Sequence, residues 1–425
     1  MNIVRRILTE YRVFKQQEAN MRILLLTNMC YALVLPVVEI FVGAYIMRNT
    51  GDAVMVTYYQ LMMYAGIVVT SFVNGFLLER FRIKSLYAAG ILVSGVSMFG
   101  MMSIPALGFS GLGIAGFTLG AASGFFWTNR YLLALNHTRD ENRNYFFGLE
   151  SFFFSIASIG VPLIIGACIV RIEGKMLWGI PVDLRAAYRI VTAVAVAISI
   201  LACVILWKGN FENPGEKLRL YFRSHVLWRK MLLLSALKGM VQGFLVTAPA
   251  VLVLHLVGNE EILGLIQGIS GAITAVLVYI LGRTAGADDR LKIFLGGMVV
   301  FFVGTLCNGI LFSATGVILF ILCKVIFQPL FDLAYFPIMM RTIDVVVSLE
   351  KRNKYTYILS HELGLFLGRA SGLLLFIVLA GGISQVFALK YALPIVGGLQ
   401  LLSWPLSKNI TNQTIRIEQE KRTFN

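Results

Sequence analysis

The sequence predicts an all-α integral membrane protein with twelve transmembrane helices in two pseudo-symmetric six-helix bundles, and three observations carry that prediction. Of 425 residues, 58% are hydrophobic and 14% charged, and the mean hydropathy is +0.78; one soluble core could not hide so much apolar surface. The apolar residues gather into twelve runs, each near the roughly 20 residues that a hydrocarbon core demands of a helix. The basic residues concentrate in alternate connections, as expected of a chain that crosses a bilayer repeatedly.

In chain order, residues 1–20 form an amphipathic segment. Ile3, Val4, Ile7, Leu8, Tyr11 and Phe14 recur at helical spacing, and Arg5, Arg6, Arg12 and Lys15 are available to an anionic leaflet. The first apolar run, from about residue 21 to 47, is too long for a signal core and lacks a small-residue cleavage pattern, so it reads as a permanent span. Spans two to six follow near 53–78, 85–105, 109–135, 145–170 and 187–207, completing a first bundle over 21–207. Residues 208–230 hold Asn213, Pro214, Gly215 and six basic residues, which mark a cytoplasmic linker between domains. Runs near 231–257, 261–282, 293–314, 315–340, 355–380 and 384–407 make the second bundle over 231–407, and 408–425 is a cytoplasmic tail.

The formal net charge of +15 would suggest nucleic acid in a soluble domain. Here 27 of the 37 Lys and Arg residues fall in the termini, the linker and the connections on the same side, against five in the opposite loops. That bias reads as topology with both termini in the cytoplasm, in the inner membrane, and nucleic acid is not an expected partner. The five cysteines, Cys30, Cys168, Cys203, Cys307 and Cys323, all lie inside apolar runs without metal-ligand spacing and read as small packing residues.

The halves resemble one another. Tyr145, Glu150 and Gly160 recur as Tyr357, Glu362 and Gly372 at a constant offset, each set following a basic loop. Gly116, Gly120 and Gly124 in span four and Gly364, Gly368 and Gly372 in span eleven repeat at four-residue intervals, which permits tight helix crossings. Duplicated six-helix halves are a transporter plan with the substrate site between them. Between spans two and three, Gly75-Phe-Leu-Leu-Glu79-Arg80-Phe-Arg82-Ile-Lys84 resembles the major facilitator loop signature G-x-L-a-D-r-x-G-r-K. Gly75, Leu77, Arg80 and Lys84 match; Glu79 replaces Asp, Arg82 replaces the second Gly and Ile83 an Arg. The resemblance implies a cytoplasmic latch at Glu79, Arg80 and Lys84, in which a carboxylate at a helix end holds basic groups and a neighbouring helix N-terminus. The second-half loop from Gly282 to Lys292 is only loosely similar. Gly116 stands where drug-proton exchangers of the superfamily carry an arginine, which weakens an export reading.

Charges inside membrane spans are costly and usually pair or line a cavity. Span one carries Glu39, span four Arg130, span seven Lys238, span ten Lys324 and Asp332, and spans five and eleven carry Glu150, Glu362 and Arg369, while spans three, six and nine carry none. The resemblance implies that helices one, four, seven and ten line a central cavity. Lys324, Gln328, Asp332 and Tyr335 share one face of span ten, Lys238 and Gln242 form a shorter stripe on span seven, and Glu362 and Arg369 share a face of span eleven. These counts give four charges of each sign, so full pairing is possible, with Lys390 in span twelve an exception that can snorkel to the outer interface. Substrate binding and proton coupling are expected at Glu39, Lys238, Gln242, Lys324, Gln328, Asp332, Tyr335 and Arg369, with Asp332 and Glu39, each roughly 12 Å from the nearer helix end, favoured for the proton. A cytoplasmic gate is expected at Glu79, Arg80, Lys84, Arg130, Glu150 and Glu362.

Gly111-Leu-Gly113-Ile-Ala-Gly116 satisfies a dinucleotide pattern but follows no strand, and reads as packing. His361-Glu362 lacks the second His of a zinc protease, and no nucleophile-base pair or phosphate loop occurs, so no enzyme and no cofactor is implied. The expected function is secondary active transport of a small organic solute by alternating access, coupled to protons. A flippase for a lipid or lipid-linked molecule and a non-transporting sensor are the alternatives. The expected partners are the solute, protons and membrane lipids, with the chain acting as a monomer.

Overall fold

The computed structural model describes residues 12–104, 107–137, 140–177, 180–213, 224–258, 260–284, 290–352 and 354–424. Among these, the spans are helical at Ala19–Thr50, Ala53–Leu77, Ile83–Met102, Phe109–His137, Asp140–Ile172 and Leu184–Trp207 in the first half. Val226–Leu256, Glu260–Thr284, Arg290–Leu311, Ala314–Glu350 and Lys354–Gly382 follow, and span twelve is two helices, Gln385–Gln400 and Ser403–Phe424. Among the described residues, eleven helices are long and apolar enough to cross a bilayer. Span eight completes the twelve with a shorter apolar stretch, Glu261–Leu277. Apart from a hairpin of two-residue strands, Met176–Leu177 against Ile180–Pro181, the described secondary structure is helical.

Several boundaries differ from the sequence expectation. Span ten extends ten residues past 340, to Glu350, because no Gly or Pro interrupts its last turns and Lys351 closes it in the left-handed conformation. The segment expected as a tail continues span twelve as helix to Phe424. Val226, expected in the linker, begins span seven, where the His225 ring accepts from the Leu227 amide. Most of the amphipathic segment (1–11), the linker core (214–223) and the loop at 285–289 lie outside the described residues.

Local chemistry sets the turns. Gly51 takes φ +66° between spans one and two, and Asp52 caps span two by accepting from Val54 N at 2.8 Å. Asp183, Ser313 and Ser384 cap spans six, ten and twelve in the same way. Span one is not a uniform α-helix: Pro36 is followed by a π-helical turn, Val37–Phe41. A proline removes one donor from the ladder, and a wider turn absorbs the mismatch. Glu39 lies on that turn.

The glycine ladders work as close-packing surfaces, but not as symmetry-related ones. Gly120 sits so close to span two that an added Cβ would collide with the Met63 carbonyl, and Gly368 sits equally close to Ala236 of span seven. Span four is equivalent by chain order to span ten, and span eleven to span five, so the two ladders occupy non-equivalent positions. Between halves, span two packs on eleven and span five on eight. Arg48 donates to Gly258 O at 3.0 Å and Gln385 to Gly51 O at 3.2 Å, joining the halves at the face opposite the termini. Large aliphatic side chains such as Ile114, Val378 and Ile310 stand exposed on the bundle perimeter, as befits a surface whose solvent is lipid.

Candidate functional site

The second half gathers its ionisable residues from three spans. Lys238 of span seven donates to Asp332 Oδ1 of span ten at 2.7 Å, and its ammonium lies 4.1 Å from the ring centres of both Tyr335 and Phe336. A cation desolvated on one side is held there by a carboxylate and by two aromatic faces. Beside this pair, a cavity of about 110 Å³ is lined by Lys238, Gln242, Gln328, Asp332 and Gln400 among apolar residues. Arg369 of span eleven donates twice to Gln242 Oε1, at 3.1 and 2.7 Å, lies 4.0 Å from Glu362 and stacks 4.7 Å over Tyr64 of span two. Thus Arg369 binds span seven and reaches into the other half. The expected face of span ten is divided: Gln328 is exposed, Lys324 and Asp332 are half-buried, and Tyr335 is buried.

His361 belongs to this cluster, although the sequence argument set it aside. Tyr335 and His361 share a hydrogen bond, hydroxyl oxygen to Nε2 at 2.6 Å, and His361 Nδ1 lies 3.9 Å from Glu362. Metal-ligand spacing does not mark it, because its partner is a tyrosine one span away. Tyr64 was likewise missed, since nothing in span two marks it as opposite an arginine.

In the first half, Arg130 and Glu150 form a bidentate ion pair between spans four and five, with only 7% and 2% of each residue exposed. Asn28 Nδ2 donates to Glu150 Oε1 at 2.6 Å, and the Tyr87 hydroxyl donates to Asn28 Oδ1. The guanidinium also lies 5.1 Å from the ring centre of Trp127 and 5.0 Å from that of Tyr131. The chain from span one to span five is therefore satisfied within one half. Asn28 and Tyr87 were not among the expected residues; a lone Asn in the first apolar run was the available signal. Glu362, expected to act with Arg130 and Glu150, sits instead with His361 and Arg369.

Glu39 is exposed and lines an opening of about 290 Å³ with Trp127, Phe154 and Ser155. Its electrostatic partner is Lys324, across the boundary between halves. Eight of the nine interior charges thus resolve into Arg130 with Glu150, Lys238 with Asp332, Arg369 with Glu362, and Lys324 with Glu39, while Lys390 of span twelve lies 5.4 Å from the ring centre of Tyr391.

The loop that resembles the superfamily signature makes a different contact from the one implied. Lys84 Nζ donates to Trp207 O and Gly209 O, each at 2.7 Å, and so binds the carbonyl end of span six. A cation at a helix C-terminus is favoured by the helix dipole. Asn213, at the start of the linker, donates to Leu78 O and Phe81 O at 2.8 Å and accepts from Ile83 N at 2.7 Å. Glu79 and Arg80 are exposed beside this knot.

The family model described as Major Facilitator Superfamily matches residues 24–372. The chain is 21% identical to the uncharacterized protein YqgE of Bacillus subtilis (strain 168), over 92% of this chain and 91% of that one. Three solved structures share the fold. A bacterial homolog of the human lysosomal transporter Spinster, inward-facing and occupied, superposes with TM-score 0.68 at 11% identity, covering 93% of this chain and 97% of that one. A D-xylose-proton symporter gives 0.69 at 13% identity, covering 91% and 96%. A bacterial metal transporter gives 0.59 at 14% identity, covering 93% and 99%. Cargoes this different on one architecture leave the substrate to be argued from the site.

Proposed function

This chain belongs to the Major Facilitator Superfamily, whose members are transporters and not enzymes, and from the geometry of its site we infer a secondary active transporter that moves a small organic solute by alternating access, coupled to protons. The carrying observation is the Lys238–Asp332 pair on the wall of a cavity, at 2.7 Å and within reach of Gln242 and Gln328. A proton on Asp332 cancels its charge and frees Lys238 to meet solute; loss of the proton restores the pair. Glu39 and Lys324 repeat this logic across the halves, where protonation of Glu39 removes an attraction between them. Gln242 and Arg369 supply donors and acceptors for orienting the solute, with Tyr335 and His361 bracing the floor.

Alternating access rests on the rocking of two bundles. The hydrogen bonds from Arg48 and Gln385 hold the halves together at the face opposite the termini, which supports an inward-facing state. Basic residues on the terminal side support a cytoplasmic location for both termini, in the inner membrane, with the chain working as a monomer. Arg130, Glu150 and Glu362, together with the loop at Glu79, Arg80 and Lys84, serve the cytoplasmic gate.

The test begins with purified protein and a panel of sugars, amino acids, organic anions and cations, read by thermal stabilisation. Each hit is then followed as radiolabelled uptake into liposomes under an imposed pH gradient. Asp332→Asn should abolish gradient-driven accumulation while leaving solute exchange. Accumulation at the wild-type level in this variant would remove Asp332 from coupling.

A further inference from the structure

Span twelve carries a polar stripe that the site described above does not use. Gln400 ends the first helix of this span, and Ser403, Ser407 and Thr411 follow at four-residue intervals along one side of the second. Gln400 is 1% exposed, and Ser403 and Ser407 are fully buried. Both side-chain heteroatoms of Gln400 and the hydroxyls of Ser403, Ser407 and Thr411 are buried without a hydrogen-bond partner among the described residues. A hydroxyl in a helix can return its proton to the carbonyl four residues back, as Thr414 does to Ile410 O at 2.8 Å just beyond the stripe. The three hydroxyls of the stripe do not. Native interiors rarely leave one such group unsatisfied, and a contiguous row of them is the signature of ordered water.

The stripe has two ends, and each opens into a space. Gln400 lines the cavity of about 110 Å³ that holds Lys238 and Asp332, a volume with room for several waters. Thr411 lines a recess of about 260 Å³ with Arg290 and Arg341 on the terminus-bearing face. The helix from Ser403 to Phe424 packs on spans seven and ten. The stripe therefore lies inside the second half, apart from the boundary where Glu39 meets Lys324, and spans roughly 16 Å at the rise of an α-helix.

We propose that a file of water between spans seven, ten and twelve connects the cytoplasmic face to the Lys238–Asp332 pair and delivers the coupling proton to it, entering the cavity of that pair from within the second half and not from the opening between the halves. This rests on the reading of Asp332 as a proton acceptor. Each water or hydroxyl in the file accepts one proton and passes one on, so that one proton leaves the cytoplasm, one arrives at the carboxylate, and no group is consumed. The carboxylate is faced by Lys238 from span seven and Gln400 from span twelve, with Tyr335 on its own span and His361, Glu362 and Arg369 behind on span eleven.

The experiment needs no cargo. In a full-length background with the five native cysteines replaced, single cysteines at 403, 407 and 411 are exposed to Ag⁺ from the cytoplasmic side of inside-out vesicles, and the thiols left are counted by maleimide mass-tagging. Leu402→Cys, 55% exposed on the perimeter at the turn just before this helix, is the dry control. Ag⁺ should react at all three stripe positions at least about tenfold faster than at 402. Equal, slow reaction at 403 and 407 would overturn the proposal. The route is then decided by Asp332→Cys, whose Ag⁺ reaction should slow about tenfold or more when Ser407→Leu plugs the file and remain fast with Ser407→Thr; Ser403→Val is the second plug should Ser407→Leu fail to fold. An unchanged rate behind a folded plug would mean that Ag⁺ reaches Asp332 from the opening between the halves, and would also overturn it. These thiol rates are independent of the Asp332→Asn flux assay, so a failure of proton coupling and a failure of the water file give different results.

Discussion

Replacing Glu150 with Gln tests the idea that the first half is braced by one buried charge pair. The substitution keeps the shape of the side chain, but leaves the Arg130 guanidinium without its counter-charge in a site where only 7% of that residue is exposed. Breaking a buried pair by removing one partner costs about 3–5 kcal/mol, because the charge left behind is desolvated and uncompensated. The aromatic faces of Trp127 and Tyr131 offset part of this, on the order of 1–2 kcal/mol, but they already act in the wild type and cannot replace the carboxylate. At about 2–4 °C per kcal/mol for a unit of this size, the midpoint of thermal unfolding in detergent should fall by on the order of 10 °C. The double variant Arg130→Met with Glu150→Met removes both charges and should recover most of that loss, since apolar replacements of a buried pair are often near neutral. A shift within about 2 °C for Glu150→Gln, or a double variant no better than the single one, would refute the argument.

Gly120→Leu and Gly368→Leu should each prevent the close approach of spans two and four, and of seven and eleven, because the new side chain meets a backbone carbonyl that cannot move independently; loss of the monodisperse peak in size-exclusion chromatography would report it. Glu39→Lys alone should place two cations across the half boundary and suppress transport, whereas Glu39→Lys with Lys324→Glu restores the attraction and should recover much of the flux. Asn213→Ala removes three hydrogen bonds that tie the linker to the loop at residues 78–83. In this partly exposed setting they are worth about 1–2 kcal/mol together, and the loss should appear as faster proteolysis of the linker at little cost to the unfolding midpoint.

The residues that the sequence made conspicuous and those that complete the site differ for a physical reason. Charge inside an apolar run is visible without coordinates, and so Lys238, Asp332, Arg130, Glu150 and Arg369 could all be named in advance. Their partners could not, because pairing depends on which helix lies beside which. Glu150 and Glu362 hold equivalent places in the repeat, yet one is sealed in a bidentate pair and the other shares a looser cluster with His361 and Arg369. The loop at Gly75–Lys84 reads as a latch in sequence, but its lysine is captured by the carbonyls at the end of span six.

By itself the sequence determined the solvent, the number of spans and the superfamily, because hydropathy and short motifs are properties of residues taken singly or in short windows. Only the tertiary structure decided that Pro36 leads into a π-turn carrying Glu39, that the glycine ladders serve non-equivalent pairs of helices, and that Tyr335, His361, Asn28 and Tyr87 complete two polar clusters. It alone also left the hydroxyls of span twelve buried without partners and placed Gln400 on the wall of the cavity that holds Lys238 and Asp332. Serines in an apolar run are unremarkable in sequence, since a hydroxyl can satisfy itself on its own helix; whether it does so or faces a shared interior depends on how neighbouring helices are rotated and packed, and that is a property of the whole bundle.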